Sequence, residues 1–488
     1  MLLTLAIFIP LVGAAAVALW PRQDERGFKV AALITTAIPL AISIWMATAF
    51  RPGAGMQFVE RAAWVPSLGI NYILGVDGIS FPMVFLTALL TFLACLASWH
   101  ISPRPKDYFA LLLLLETGMM GVFCALDYVL FYVFWELVLV PMYFLIGIWG
   151  GPRREYAAIK FFIYTLLGSV VMLVGILAMY FAGAQALGHP TFDMMALQQV
   201  KFPFRFQLWV FAALYLGFAV KVPVFPFHTW LPDAHVEAPT AVSVLLAGIL
   251  LKMGTYGFMR VSLPTFPEAA SYFAYAIAVL GVINMIYGAF VAMWQADLKK
   301  LVAYSSVSHM GYVMLGLAAG TPMALSGAIF QMFSHGMITG MLFLLVGMIY
   351  DRAHTREIAK LSGLYTALPA YGIILAFASF ASLGLPGLSG FVAELLVLLG
   401  SFPVYRTLVI IGAATIVITA GYMLWMMQRV LMGKSRPELE ALPDVTGREL
   451  ATVIPLIVLI AVLGVFPRLL LDFTNPALIQ LAARVGGM

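Results

Sequence analysis

The chain reads as a succession of long apolar runs divided by short polar breaks. A helix needs about 20 mainly apolar residues to cross the hydrocarbon of a bilayer. Runs of that kind lie at 2–20, 28–49, 78–98, 109–125, 127–149, 158–183, 206–227, 239–261, 271–294, 300–320, 324–350, 368–401, 407–431 and 451–472. The pattern predicts an all-α integral membrane protein of about fourteen transmembrane helices. Residues 50–77 and 184–205 are the longer loops. The stretch 432–450, with Lys434, Arg436, Glu438, Glu440 and Asp444, is the most polar and is expected in water. The first run, Leu2 to Trp20, lacks a basic leader and a small-residue cleavage signal, and it contains Pro10. It reads as a retained span and not as a signal peptide.

Composition agrees with this picture and narrows the chemistry. Of 488 residues, 63% are hydrophobic and 10% charged, where a soluble domain carries roughly 25%. That leaves too little polar surface to solvate a globular domain of this length, and mean hydropathy is +1.00. The net charge of +5 is small and sits in loops, which points to orientation in a membrane and away from nucleic acid. Cys95 and Cys124 lie inside apolar runs without a CxxC pair, so an iron–sulfur cluster or structural zinc is not expected. No three-ligand histidine cluster for a metal is visible. No GxGxxG or Walker sequence is present, hence no sign of a nucleotide site. Any redox chemistry is expected in other chains.

Lysine and arginine concentrate in alternate loops. Counting from the first span, the odd loops hold Arg22, Arg26, Lys29, Arg104, Lys106, Arg153, Arg154, Lys160, Lys299, Lys300, Arg352 and Arg356, among others. The even loops and termini hold far fewer, among them Arg51, Arg61, Lys201, Arg260 and Arg484. The bias places the odd loops in the cytoplasm and both termini outside, as an even number of spans requires.

Five ionisable residues fall inside spans: Glu116, Glu136, Lys221, Lys252 and Glu394. Each costs roughly 2.5–3.5 kcal/mol at a helix centre on insertion scales. One reading makes them neutral or ion-paired staples between helices. Apolar packing would serve that purpose as well, so their recurrence on several spans favours a proton relay. Glu116 stands apart, since a place near a span end or a packing role would account for it. Desolvation favours the neutral amine of a lysine, and a nearby carboxylate favours its ammonium. A lysine with a movable carboxylate partner is therefore a charge-controlled proton site, and Glu136 with Lys221 is the candidate pair.

Backbone breaks accompany these charges. Lys221 is followed by Pro223 and Pro226, and Glu394 follows Leu385-Pro386-Gly387 and Gly390. Proline cannot donate to the helical ladder, so both spans are predicted as interrupted helices, a feature tolerated at membrane depth where it lines a cavity or is buried in protein. Pro141 is expected to kink the span of Glu136. Two broken spans, five spans apart, suggest two five-helix repeats, inverted because five is odd. The expected division is 1–108, N-terminal helices; 109–262, the first repeat with Glu136, Lys221 and Lys252; 263–431, the second with His309, His335 and Glu394; and 432–488, a polar loop with a C-terminal helix. His309 and His335 each follow a serine that could hold water, and they read either as hydrogen-bonded core residues or as relay members. His228 and His235, near Asp233 and Glu237, belong either to a cytoplasmic intake path or to the positioning of a loop.

The runs FYVFWELVLVPMYFLIGIWGG, AVKVPVFPFHTWLPDAHVEAPTAVSVLLAGILLKMGTYG, DLKKLVAYSSVSHMGY and LPGLSGFVAE resemble the antiporter-like membrane subunits of respiratory complex I. The similarity extends from about residue 70 to 430, and the second run is the most specific. The resemblance implies fourteen spans in two inverted five-helix repeats. It implies that Glu136 modulates Lys221, that Lys252 connects onward, that His309 and His335 continue a hydrophilic axis, and that Glu394 is its terminal site. Sister subunits and related sodium/proton antiporter subunits usually carry lysine at that last position, so Glu394 favours one branch of the family. The lack of a long amphipathic arm past residue 472 argues against another. The implied chemistry is indirect coupling in a bacterial inner membrane. NADH oxidation and quinone reduction occur in other subunits, no cofactor binds this chain, and its partners are the other membrane-arm subunits, including sister antiporter-like chains. Protons would load from the cytoplasm through Lys221 and leave through Glu394. The alternatives are a cation/proton antiporter subunit without a redox donor, the membrane arm of a related hydrogenase, and a structural scaffold.

Overall fold

A computed structural model describes residues 1–486. In chain order its main helices are α1 (Leu2–Leu19), α2 (Glu25–Ala49), α3 (Phe81–Ala97), α4 (Pro105–Cys124), α5 (Tyr128–Trp149), α6 (Arg154–Leu187), α7 (Phe204–Lys221), α8 (Trp230–Glu237), α9 (Thr240–Thr265), α10 (Pro267–Met293), α11 (Leu298–Ala319), α12 (Pro322–Ala353), α13 (Pro369–Ser382), α14 (Ser389–Ser401), α15 (Arg406–Leu431), α16 (Gly447–Val465) and α17 (Arg468–Val485). Among the described residues, thirteen are long and apolar enough to cross a membrane singly. The shorter apolar pair α13–α14 fills the place of one further span and matches the run expected at 368–401.

Helix starts follow from the local sequence. Asp127 accepts from the backbone N–H groups of Val129 and Leu130, Asp297 from those of Lys299 and Lys300, and Thr446 closes a capping box with Glu449. Each satisfies donors that a helix cannot pair internally. The bundle then sorts its surface by what lipid can solvate. α1, α2, α6, α15 and α16 turn Val12, Ile34, Leu167, Val417 and Val458 outward, while α9 is buried from Ala241 to Thr265 and α12 from Ala324 to Ile349. Lipid offers no hydrogen-bond partner, so charged side chains at this depth face the bundle interior. Lys252 and His335 ride on these two innermost helices.

The structure departs from the sequence reading in several places. Residues 50–77 are not a plain loop: Gln57–Val65 (β1) and Ile70–Val76 (β2) form an antiparallel hairpin. Its apolar and polar positions lie too close together to read against the surrounding spans. The run 206–227 is helical only to Lys221, and its continuation is the separate α8. The run 451–472 ends at Val465, and α17 begins at Arg468 after Pro467. Glu116 lies in mid-helix, fully buried, and not near a span end. Three loop cations are interior: Lys29 donates to Trp99 O at 2.8 Å, Lys299 to Ala238 O at 2.5 Å, and Arg260 pairs with Asp77.

Both predicted breaks are present, and their backbone groups are satisfied locally. Past Lys221, Asn284 of α10 takes the Phe225 N–H on its Oδ1 at 2.7 Å and donates from Nδ2 to Pro223 O at 3.1 Å. The Trp230 indole N–H donates to Val220 O at 2.9 Å. Past Ser382, Gly384 and Gly387 take φ of +82° and +95°, a region that glycine enters without a Cβ penalty. This lets the Leu385 N–H reach Phe380 O at 3.0 Å before α14 begins. A third irregularity was not anticipated. α9 contains two π-helical stretches, Leu246–Leu250 and Phe258–Ser262, on either side of the turn that carries Lys252.

Candidate proton-transfer site

Four helices bring Lys252, His335, His309 and Glu394 into one connected row. Lys252 Nζ lies 2.7 Å from His335 Nδ1 and donates to Ala247 O at 2.5 Å. That carbonyl belongs to the first π-helical stretch of α9, and such widened turns recur at functional sites. The imidazoles of His335 and His309 follow with ring centroids 5.5 Å apart. His309 Nδ1 then stands 3.2 Å from Glu394 Oε1, both side chains being buried. The row runs from α9 through α12 and α11 to α14. It joins residues far apart in sequence, and it meets the second break at its far end.

The polar neighbours hold the row without quenching it. Gln331 Nε2 lies 3.4 Å from His309 Nδ1, and Ser382 Oγ, the last residue before the break, lies 3.5 Å from His309 Nε2. Ser334 and Ser389 hydroxyls meet at 2.7 Å and bind α12 to α14. Tyr312 and Thr415 hydroxyls meet at 2.8 Å beside the Glu394 end. The Lys252–His335 contact serves two protonation states, since an ammonium can donate to a neutral imidazole and a protonated imidazole can donate to a neutral amine. His335 Nε2 keeps no partner among the described residues.

The other half of the expected axis is not hydrogen-bonded. Lys221 Nζ is buried without a hydrogen-bond partner among the described residues, 5.5 Å from the ring centroids of both Trp135 and Phe161. Those ring faces attract a cation. Glu136 follows Trp135 on α5, half-buried, with its Oε1 unpaired; it makes no ion pair with Lys221 among the described residues. Glu116 has neither carboxyl oxygen bonded among the described residues. Pro141 lies on the α5 span, whose helix is interrupted just before it, at Val138.

The histidines near α8 separate into two kinds. His228 Nε2 lies 3.1 Å from Tyr287 OH. His235 is fully buried, stacked on Phe343 with centroids 4.6 Å apart, and neither ring nitrogen has a partner among the described residues. Asp233 and Glu237 hold the loop instead: Lys160 donates to Asp233 at 2.8 Å, and the Arg153 N–H to Glu237 at 3.0 Å. Beside them a cavity of about 530 Å³ is walled by His100, Glu237, Lys299, Asp351 and Arg356. Ser308 does not hold water toward His309, for its hydroxyl donates to Met285 O at 2.7 Å.

Sequence reasoning missed Gln331, Ser382, Asn284, Lys299 and the Asp77–Arg260 pair. Gln331, one turn before His335, offered the only signal, a second polar residue on the same face of an apolar helix. The others look like loop or helix-end residues until the fold closes over them.

A buried row of acids and bases thus crosses a helical membrane bundle with two broken spans. Residues 125–420 match the family described as NADH:quinone oxidoreductase/Mrp antiporter, transmembrane region, and residues 31–123 match the NADH-ubiquinone oxidoreductase chain 4 amino terminus. The chain belongs to the NADH:quinone oxidoreductase/Mrp antiporter family of multi-pass membrane proteins. Within it, the chain is similar to NADH-quinone oxidoreductase subunit M of Rhodobacter capsulatus, with 46% identity over 98% of this chain and 96% of that one. It is also similar to NAD(P)H-quinone oxidoreductase chain 4 of Synechococcus elongatus, at 43% identity over 99% and 92%. Among solved structures, a chain of respiratory complex I from Thermus thermophilus with bound NADH superposes with a TM-score of 0.91 at 30% identity, covering all of both chains. A chain of the Mrp complex from Dietzia shares the fold, with a TM-score of 0.87 at 22% identity and 99% coverage of each.

Proposed function

We propose that this chain is a proton-translocating membrane-arm subunit of an NADH–quinone oxidoreductase, passing protons along the row Lys252, His335, His309 and Glu394 while the redox reaction runs in other subunits. The observation that carries this reading is the connected row itself, with one 2.7 Å contact, one 3.2 Å contact and a 5.5 Å step between imidazoles. A row of buried groups that can each hold or release a proton is the arrangement a relay needs; mere staples need no such order.

In this reading a proton reaches Lys221 from the cytoplasm, and Glu136 sets by its own charge whether Lys221 keeps it. Transfer to Lys252 passes the unpartnered imidazole of His235, next to the 530 Å³ cavity. The Lys252–His335 bond hands the proton to the second half, His309 relays it, and Glu394 releases it outside. The halves are two inverted five-helix repeats, each with a broken helix. The odd loops face the cytoplasm and both termini the outer side. The chain holds no redox centre, and its partners are sister antiporter-like chains and other membrane-arm subunits. A cation/proton antiporter subunit would use the same row without a redox donor; co-purification with flavin and iron–sulfur subunits separates the two.

The test is proton pumping by the assembled complex in proteoliposomes carrying Lys221→Ala, Glu136→Ala or Glu394→Gln. Each is expected to lower pumping strongly while the complex still assembles. Normal pumping in all three would overturn the role.

A further inference from the structure

α9 ends in a second cavity, on the face opposite the first. Its volume is about 170 Å³, and its polar walls are Gln57, Asp77, Gln198, Arg260, Gln480 and Arg484. These come from the hairpin, the start of α3, the segment after α6, the end of α9 and α17. The larger cavity is lined by Thr240 and Ala241 at the start of α9. Water-sized space therefore meets both ends of a helix that is otherwise wholly buried, with Lys252 near its middle.

Between Lys252 and the second cavity lies a short polar column. Lys252, Tyr256 and Arg260 follow one another at four-residue spacing, which places them along one face of α9. Arg260 Nε donates to Tyr256 OH at 3.3 Å, and the Arg260 guanidinium also pairs with the Asp77 carboxylate. Both partners of that pair are buried. Asp77 accepts as well from the N–H groups of Ile79 at 2.9 Å and Ser80 at 3.1 Å. Arg260 itself lies in the second π-helical stretch.

We propose that the Asp77–Arg260 pair gates a second outlet, through which a proton from Lys252 leaves by way of Tyr256 into this cavity, in competition with the route through His335. This rests on the proton-translocating reading above. The Lys252 ammonium gives up a proton and becomes an amine. The Tyr256 hydroxyl, released from the Phe123 carbonyl, accepts it while handing on its own, and the Asp77 carboxylate becomes a carboxylic acid. Arg260 stays charged throughout, as guanidinium does in proteins. Neutral Asp77 loosens its hold on Arg260, and loss of the proton to cavity water restores the pair. In the present conformation the outlet is shut along its length: Lys252 donates to Ala247 O and faces His335, the Tyr256 hydroxyl donates to Phe123 O at 3.2 Å, and Asp77 is paired. A purely structural pair would only tie the hairpin to α9.

The two cases separate in the assembled complex in proteoliposomes. Gln480→Cys puts an exposed thiol on the cavity wall, and native Cys95 and Cys124 are buried. A bulky, membrane-impermeant methanethiosulfonate, applied to the purified complex before reconstitution so that both faces are open to it, is expected to label the introduced thiol fully. It should lower the protons pumped per electron and leave uncoupled quinone reduction unchanged. Asp77→Asn should lower the same ratio and Asp77→Glu should keep it. If Asp77→Asn fails to assemble, the labelling result decides alone. Failure to label, or complete labelling with an unchanged ratio, overturns the outlet. Glu394→Gln is measured in parallel. If it alone lowers the ratio, the row stands and the outlet falls; if neither changes it, the proton-translocating reading falls with it.

Discussion

Lys252 and His335, 83 residues apart in sequence, share a buried contact of 2.7 Å between Nζ and Nδ1. It is the junction between α9 and the second half of the bundle, and the proton can sit on either partner without breaking the bond. His335→Ala removes that partner and leaves a buried amine held by one carbonyl. The expected result is lost pumping together with destabilisation of about 1–3 kcal/mol, the usual effect of orphaning a buried polar group. His335→Gln keeps an acceptor but cannot carry the proton, so the complex should assemble and pump poorly. Thermal denaturation and proton uptake, measured on the same preparations, separate the two effects.

Glu394 makes its only ionisable contact, among the described residues, with His309 Nδ1 at 3.2 Å. Glu394→Gln should assemble normally and pump poorly, because the amide fills the same space without titrating. Glu394→Lys is expected to retain more pumping than Glu394→Ala, since an amine at this place can donate to His309. Equal loss in the lysine and alanine variants would show that more than a titratable group is required.

Lys221 presents a different balance. Its amine is buried against Trp135 and Phe161 with no hydrogen-bond partner among the described residues, an arrangement that opposes folding. Lys221→Met matches the surrounding apolar packing. It should raise the melting temperature of the complex while abolishing pumping, a trade of stability against function. A variant that lowers both would mean that Lys221 is chiefly a structural partner.

Asn284 closes the first break with one donor and one acceptor. Asn284→Leu strands the Phe225 N–H and the Pro223 carbonyl, and should destabilise by about 1–3 kcal/mol for each stranded group. Asn284→Asp, held as the neutral acid at this depth, retains the acceptor for Phe225 and exchanges the amide donor to Pro223 for a carboxylic O–H, so it should fall between wild type and Asn284→Leu in thermal stability. If the aspartate and leucine variants melt together, the contact to Phe225 contributes nothing.

Much of the candidate site was legible residue by residue. A charge in an apolar run is conspicuous because hydrocarbon penalises it, and so Lys252, His309, His335 and Glu394 stood out on their own helices. Their order along the row did not, because contact between α9, α12, α11 and α14 depends on how helices pack and not on any local pattern. The expected Glu136–Lys221 pair shows the converse: both residues were conspicuous, yet the fold sets aromatic rings around the lysine and leaves it without a direct bond to the carboxylate. Arg260 and Lys299 were counted as loop charges because they sit at helix ends, where sequence alone cannot tell water from a closed interior.

By itself the amino-acid sequence determined the spans, the two proline- and glycine-marked breaks and the identity of the ionisable groups at membrane depth. These follow from run length and from the missing N–H of proline, which are properties of the chain before it folds. Tertiary structure alone decided which of those groups touch, that Asn284 seals one break from a neighbouring helix, that the polar segment after α2 folds into a hairpin, and that Asp77 meets Arg260. Hydrogen bonds reach only about 3 Å, and distances of that size between distant residues are set by the packing of the whole bundle.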